Sequence, residues 1–511
     1  MILTSRTGKK YIHFNWQLYA SFYPLLSNYG FKTKNELWWH FVNIGEPSGY
    51  IYFDNNDYSN YVEKYNNFDY VSYQKIIGDN SKTKDELWWH YIVTNNCYKL
   101  PIDTTSEANI SQLKQLQKNK HIYYFIHHTS ENSIRTGIQI VTIYLAKELL
   151  KLKAEYDFEL IFVKWDFNYN CIVTCSQADI DKLFHLDDTD IFIEKINYPS
   201  SVPIHTNTEL LVNGVFFCPE IIFVIEAKLP FFLKKYLERY KLKSIYLLYD
   251  IIPLVIPEYN IVKKEFNEYF TNNILCANKI ITISDFTKDE FTKYSIQNNL
   301  INKDFPITES LPLPYQYRNK LFVSSRSLSS SNNNKITILL PGTVEPRKQQ
   351  VVLMKMFNKF IKQNPNVNVT LIVFGNVISM CLAEFSKELE LSNGKIIYLG
   401  TITNTELFYL YSTATFSCYI SKYEGFGFPI AESLWHGTPV LTSNFGSMKE
   451  VASVGGCYCV DTNNVDEIYN GLNNLIMNSE ITNKLKSEIN DQKMSTWKQY
   501  SINICEKILN I

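Results

Sequence analysis

From about residue 120 onward, short apolar runs alternate with segments whose apolar residues recur every three or four positions. The runs lie at 121–126, 221–225, 244–249, 279–283, 336–340, 367–374, 395–399, 414–418 and 439–442. Runs this short, with no polar alternation, read as strands buried on both faces. Between them, Ile138, Val141, Leu145 and Leu149 keep helical spacing over 138–151, and the segments 348–361, 380–391 and 429–436 predict further helices. A last helix is predicted over 496–509, packing back across the rest. This rhythm predicts an α/β chain of parallel sheets with helices on both faces. The polar stretch SSRSLSSSNNNK at 324–335 reads as a linker. The chain therefore divides into two doubly wound, Rossmann-like domains, 119–318 and 335–511, facing a cleft. Ligands bind such a pair at the carboxyl ends of the strands.

The first hundred residues follow another pattern. KTKNELWWH at 32–40 recurs as KTKDELWWH at 82–90, and the two copies hold four of the eight tryptophans. Thr33 or Thr83, with Glu36 or Glu86 three residues on, forms a capping box for a short helix. A small, mainly helical repeat module over 1–105 is predicted. Two helical units packed by aromatics and a platform for a sugar or a partner protein both fit it. Residues 101–118 read as a connector.

Composition narrows the classes. In 511 residues, hydrophobic side chains make up 45% and charged ones 20%, with a net charge of −1. That is the make-up of a folded chain and gives nucleic acid no electrostatic footprint. The apolar stretches 212–233 and 245–256 are broken by Glu220, Glu226, Lys228 and Asp250, so no transmembrane segment is expected. Residues 1–10 lack the apolar run of a signal peptide. Ten scattered cysteines without a CxxC pair, and a glycosylation sequon at Asn368 inside an apparent buried strand, point to the cytoplasm. Glycine is scarce, at 18 residues, yet eleven of them lie between Gly342 and Gly471. Base composition of the genome accounts for the scarcity but not for the clustering.

Two motifs occupy that glycine-rich segment. PGTVEPRK at 341–348 follows a strand and opens a helix. Gly342 allows a tight turn, and the helix start suits a phosphate. Arg347 and Lys348 oppose the dipole of a first helical turn, so an anion is expected beside them. EGFGFPIAE at 424–432 sets two carboxylates eight residues apart, with Pro429 fit for a first helical position. Taken alone, the first also reads as a solvated charged loop and the second as a strand–loop–helix with two surface acids.

In this order, with YLG at 398–400 and HGTPVLTS at 436–443, the motifs resemble the retaining glycosyltransferases of family 4 (glycosyl transferases group 1). These have the GT-B fold and occur in bacteria and large DNA viruses; aromatic repeats of the kind at 32–40 and 82–90 also occur beside such domains. The resemblance covers roughly 120–490. Its first half is carried by TGIQIV at 136–141, YDIIP at 249–253 and ITISD at 281–285. It implies that Arg347 and Lys348 hold a donor diphosphate and that Glu424 holds the transferred sugar with the backbone of Gly425, Phe426 and Gly427. Glu432 then binds the ribose, and Tyr398, Leu399 and Gly400 flank the base. Gly342, Thr343 and Gly137 approach the donor, while Tyr249, Asp250 and Ser284 lie on the acceptor side. The implied reaction moves a hexose from a nucleotide-diphospho-sugar, GDP-mannose being favoured, to a hydroxyl of a glycan or similar acceptor. Anomeric configuration is retained, and neither metal nor cofactor is required. Tyr249 stands where the family often has histidine, and Ile140 where it often has arginine, so the resemblance does not name the acceptor. Asp188-Thr-Asp190 spells a metal-binding DxD but sits in an acidic run that reads as a surface loop. No GxGxxG follows a strand, which argues against a dehydrogenase. The competing reading is a catalytically inactive scaffold that binds sugars or a partner. The expected location is cytoplasmic, in the host cell if the chain is viral.

Overall fold

The computed structural model describes residues 120–131, 136–167, 170–184, 200–206, 214–316 and 335–511, together with the antiparallel strand pair Leu3–Thr4 and Lys10–Tyr11. The repeats, the connector 101–118, the acidic run and most of the polar linker lie outside the described residues. The chain forms two compact units, one built almost wholly from residues 1–101. The second holds the two large sheets.

Its first sheet has seven strands: β1 (Lys120–Phe125), β2 (Phe158–Asp166), β3 (Cys171–Thr174), β4 (Gly214–Cys218), β5 (Lys243–Leu248), β6 (Lys279–Thr282) and β7 (Ile307–Ser310). They lie in the order β3-β2-β1-β4-β5-β6-β7, all parallel except the β2–β3 hairpin. The second sheet has six: β8 (Ile336–Pro341), β9 (Val369–Phe374), β10 (Ile396–Tyr398), β11 (Phe416–Tyr419), β12 (Val440–Ser443) and β13 (Cys457–Val460). Their order is β10-β9-β8-β11-β12-β13, all parallel. Each sheet reverses its winding beside its first strand, at β1/β4 and at β8/β11, which is where an open parallel sheet leaves a crevice for a ligand.

Apolar burial sets the layers. In the second sheet Ile338, Leu340, Leu371 and Val373 pack under Leu353, Met354, Phe357 and Phe360 of a helix, every one of them 1% exposed or less. Phe357→Ala is expected to cost about 3–5 kcal/mol, the transfer energy plus an unfilled cavity. A denaturant titration checks this; a loss under about 1 kcal/mol would mean that the layer is loosely packed.

Two predicted elements are corrected. The run 221–225 is a turn, with Val224 exposed; the central strand is β4, just before it. Pro219 follows β4 directly and has no N–H to extend the ladder. The helix predicted from 348 is instead a 3-10 turn, Pro346–Lys348, then Gln349 at φ +56°, then α-helix Gln350–Gln363. The left-handed residue separates the two cations from the helix, so Arg347 and Lys348 do not stand in its first turn.

The helix Trp497–Leu509 lies against the first sheet's helix Gly137–Leu152, with Trp497 stacked on Tyr144 at 5.5 Å. Its final carbonyls are capped from the first sheet: Lys120 Nζ donates to Leu509 O at 2.7 Å and Lys279 Nζ to Lys507 O at 3.1 Å. Cations suit a helix C-terminus. No described helix is long and apolar enough to cross a membrane.

Candidate active site

The loops after β8 and β11 leave the second sheet side by side at its switch point. One carries 342–348 and the other 420–427, so topology alone brings both motifs together. A second pair of loops is fitted by glycine. A Cβ on Gly375, after β9, would lie 2.4 Å from Gly342 O, so only glycine lets these turns touch.

Four charges meet here. Arg347 Nη1 lies 2.6 Å from Glu424 Oε1, and Arg347 Nη2 lies 2.8 Å from Glu345 Oε1. Lys348 Nζ is 3.1 Å from the same Glu345 oxygen. Arg347 Nε donates to Tyr259 Oη at 3.1 Å, and Nη1 also reaches Tyr423 O. Tyr419 Oη donates to Glu424 Oε1 at 2.7 Å. The anion expected beside the cations is thus met, in this structure, by two carboxylates of the chain itself.

The titration shifts follow. Burial pushes the Glu424 carboxyl up, but Arg347 and Lys348 outweigh it and hold it below the usual range. Glu345 is likewise depressed: burial is overcome by Lys348, Arg347 and the Tyr259 hydroxyl. Burial opposes the Arg347 charge, yet Glu424 and Glu345 raise its pKa above the ordinary value. Asp250 is raised, first by burial and further by Glu424 and Glu345, against the Ile252 N–H and Arg347. A carboxylate whose folded pKa is depressed adds stability that is present above its unfolded value, about 4.3 for glutamate. That stability is lost as pH falls through the folded value. Glu424→Gln is therefore expected to flatten the acid limb of a stability profile between about pH 5 and 3. Urea midpoints across that range decide; an unchanged limb would remove Glu424 from the charged cluster.

The loop after β11 is also pinned by the first sheet's lobe. Ser284 Oγ donates to Gly425 O at 2.6 Å, and Thr287 Oγ1 lies 3.2 Å from the same oxygen. A Cβ on Gly425 would sit 2.1 Å from Tyr249 O. Ser447 Oγ donates to Glu424 O at 2.7 Å. Glu450 accepts from the backbone N–H of Asp285, at 3.0 Å, and of Phe286. Phe286 packs against Tyr423 and Phe445.

Two residues expected on the acceptor side have their side chains turned into the protein. The Tyr249 ring is buried with its hydroxyl bound to Pro219 O at 2.5 Å, and Ser284 is fully buried under Gly425. Both hydroxyls are spent inside the protein. Asp250 is half-buried, its Oδ1 accepting from Ile252 N–H at 3.0 Å. Gly137 opens its helix without positive φ, and a Cβ there would make ordinary contact, 3.5 Å, with the Phe428 ring. Nothing in the packing demands glycine at 137.

The remaining positions all lie in the second lobe. Tyr398, the last residue of β10, and Leu399 after it are exposed, and Tyr398 Oη donates to Gly375 O at 2.8 Å. Gly400 O accepts from Gly375 N–H at 2.8 Å. Thr343 O accepts from Gln350 Nε2 at 2.8 Å. Phe426 is buried against Phe428, and Gly427, at φ +104°, precedes the helix Phe428–Trp435. Glu432 lies in that helix and accepts from Tyr411 Oη at 3.3 Å.

Four participants carried no assigned role from sequence: Glu345, Tyr419, Tyr259 and Gly375. Glu345, Gly375 and Tyr419 fall in the glycine-rich stretch, and Glu345 inside a motif. Tyr259 has no local signal at all. On the facing lobe the switch point holds Glu220, fully buried, accepting from His128 N–H at 2.7 Å, Thr129 N–H at 3.0 Å and Thr129 Oγ1 at 2.7 Å. Burial pushes its carboxyl up to about 7.

Comparison with known proteins agrees with this architecture. Residues 325–492 match the family described as Glycosyl transferases group 1. O-antigen chain mannosyltransferase B of Escherichia coli is 28% identical over 262 residues, which span 47% of this chain and 61% of that protein. O-antigen chain mannosyltransferase RfbU of Salmonella typhimurium is 26% identical over 216 residues, 41% of this chain and 54% of its own length. Among solved structures, sucrose-phosphate synthase of Thermosynechococcus elongatus superposes with a TM-score of 0.51 at 12% identity, covering 76% of this chain and 98% of that one. Anabaena HepE in complex with UDP and glucose gives 0.50 at 13% identity, covering 77% and 100%. Two Rossmann-like domains with these neighbours are the GT-B fold, and residues 325–492 are similar to the glycosyl transferases group 1 family.

Proposed function

We propose that the chain transfers a hexose from a nucleotide-diphospho-sugar to a hydroxyl acceptor with retention at the anomeric carbon. The observation that carries this reading is the Arg347–Lys348–Glu345–Glu424 cluster at the switch point between β8 and β11. Its carboxylates balance its cations, so a donor diphosphate entering it displaces Glu345 from Lys348 and takes up positive charge already fixed in place. As the bond between the sugar C1 and the diphosphate oxygen breaks, negative charge grows on that oxygen. Preorganised cations stabilise it, typically the largest contribution to rate in such a step. The acceptor oxygen bonds to C1 on the same face, and its proton passes to the departing diphosphate. Glu424, held ionised by Arg347, faces the sugar rather than serving as a base.

GDP-mannose is the favoured donor, since the two bacterial relatives named above are mannosyltransferases; a glycan hydroxyl is the acceptor class by the same likeness. A thermal-shift panel of GDP-, UDP- and dTDP-sugars tests the donor, because a bound donor stabilises the fold by mass action. The expected result is a shift with one base and, with acceptor glycan added, sugar transfer. Binding without transfer or hydrolysis would favour the scaffold reading, and no shift with any donor would reject the site.

A further inference from the structure

Arg347 belongs to the second lobe, but its orientation is completed by the first. Tyr259, in the segment Pro257–Val262 after β5, reaches across to the cluster. Its hydroxyl donates to Glu345 Oε2 at 2.5 Å and accepts from Arg347 Nε at 3.1 Å. The guanidinium carbon also lies 5.9 Å from the centre of its ring. One hydroxyl thereby fixes the outer oxygen of Glu345 and the inner nitrogen of Arg347. The other Glu345 oxygen holds Arg347 Nη2 and Lys348 Nζ, and Arg347 Nη1 is left aimed at Glu424. Burial, then the bond to Glu345, pushes the phenol up to about 12, so it stays a donor at neutral pH.

Each direction of the Arg347 fork therefore has a separate restraint, and the Nε restraint comes from the opposite lobe. With the lobes apart, Tyr259 is withdrawn, and nothing on the second lobe among these contacts replaces it. Glu345 is then free to turn about its side chain and pair with either cation. We infer that Tyr259 is a positioning residue: through Glu345 it orients Arg347 toward Glu424 when the lobes meet, so the cationic centre reaches its working geometry only in the closed molecule. This rests on the donor-site reading above.

The test is a double-mutant cycle on the full chain, Tyr259→Phe and Glu345→Gln, with transfer kinetics and donor affinity measured separately. Tyr259→Phe keeps the ring and its packing and loses only the hydroxyl. Its kcat is expected to fall about 10- to 100-fold, the worth of a hydrogen bond to charged groups, while donor Kd changes less than about threefold because Lys348 and the loops remain. The double variant is expected to lose no more than the worse single one, since both remove the same restraint. Restoring tyrosine in the Glu345→Gln background then gives no recovery. Additive losses, an unchanged kcat in Tyr259→Phe, or a loss confined to Kd would each overturn the inference. A Lys348→Ala control separates the two failures. If that variant transfers normally, the donor site itself is wrong; if it collapses while the cycle is additive, only the Tyr259 coupling is wrong.

Discussion

Lys348→Ala is expected to lower sugar transfer by at least about 10²–10³-fold, the usual effect of deleting one group that stabilises developing charge. Lys348 sits on a 3-10 turn and, among the described residues, pairs with Glu345 at 3.1 Å. It can leave that carboxylate for a phosphate without disturbing the largely buried Arg347–Glu424 pair. The loss should therefore appear in activity and not in folding. Circular dichroism and melting temperature are expected to stay near those of the parent chain while single-turnover transfer collapses. Normal transfer by Lys348→Ala, with a donor the parent chain uses, would remove the diphosphate from this site. Arg347→Ala makes a useful contrast. It takes from Glu424, a largely buried carboxylate, its ion-pair partner, at a cost of up to about 3–5 kcal/mol, so its lost activity would be confounded by lost stability.

The second large effect is expected from Gly425→Ala. The added methyl carbon would stand 2.1 Å from Tyr249 O and 3.2 Å from the Asp250 Cβ. The first of these is backbone, which cannot swing aside as a side-chain end can. Either the 424–427 loop retreats or the lobes part, and both break the bond from Ser284 to Gly425 O. A displacement of about 1 Å in such a loop is enough for roughly a 10²-fold loss in rate. Each lobe's own core is untouched, so a melting temperature close to the parent's should accompany that loss. Near-parental transfer would show that the contact between Gly425 and Tyr249 is not needed for the reaction. The same outcome would weaken the case that closure matters at all.

How much of this was readable beforehand depended on whether the signal was local. The sheets were legible because parallel strands buried on both faces leave unbroken apolar runs, as at 336–340 and 279–283. The hairpin β2–β3 was not, because Glu159 and Lys164 interrupt its run and its partner Cys171–Thr174 is only four residues long. The run 221–225 misled because apolar content alone cannot tell a strand from a packed turn. In the site, Arg347, Lys348 and Glu424 were visible as charges beside glycines in loops following strands. Their pairing with one another was not, since it depends on β8 and β11 being neighbours while β9 and β10 lie between them in sequence. Tyr259 is the extreme case. It enters the cluster through lobe contact, a property of two folded surfaces that no short window of sequence encodes.

The helix Trp497–Leu509 has a consequence for how the chain is made. It completes the first lobe, lying on Gly137–Leu152 and taking its C-terminal capping from Lys120 and Lys279. A ribosome therefore finishes every other described element of that lobe before it begins the second, and must finish the second before supplying the helix. Throughout that interval the surface around Tyr144 that receives Trp497 faces water uncovered. Domains usually settle in the order they emerge, but here the first to emerge is the last to be sealed. Emergence of the helix Trp497–Leu509, rather than synthesis of the first half of the chain, becomes the step that commits the first lobe to its native state.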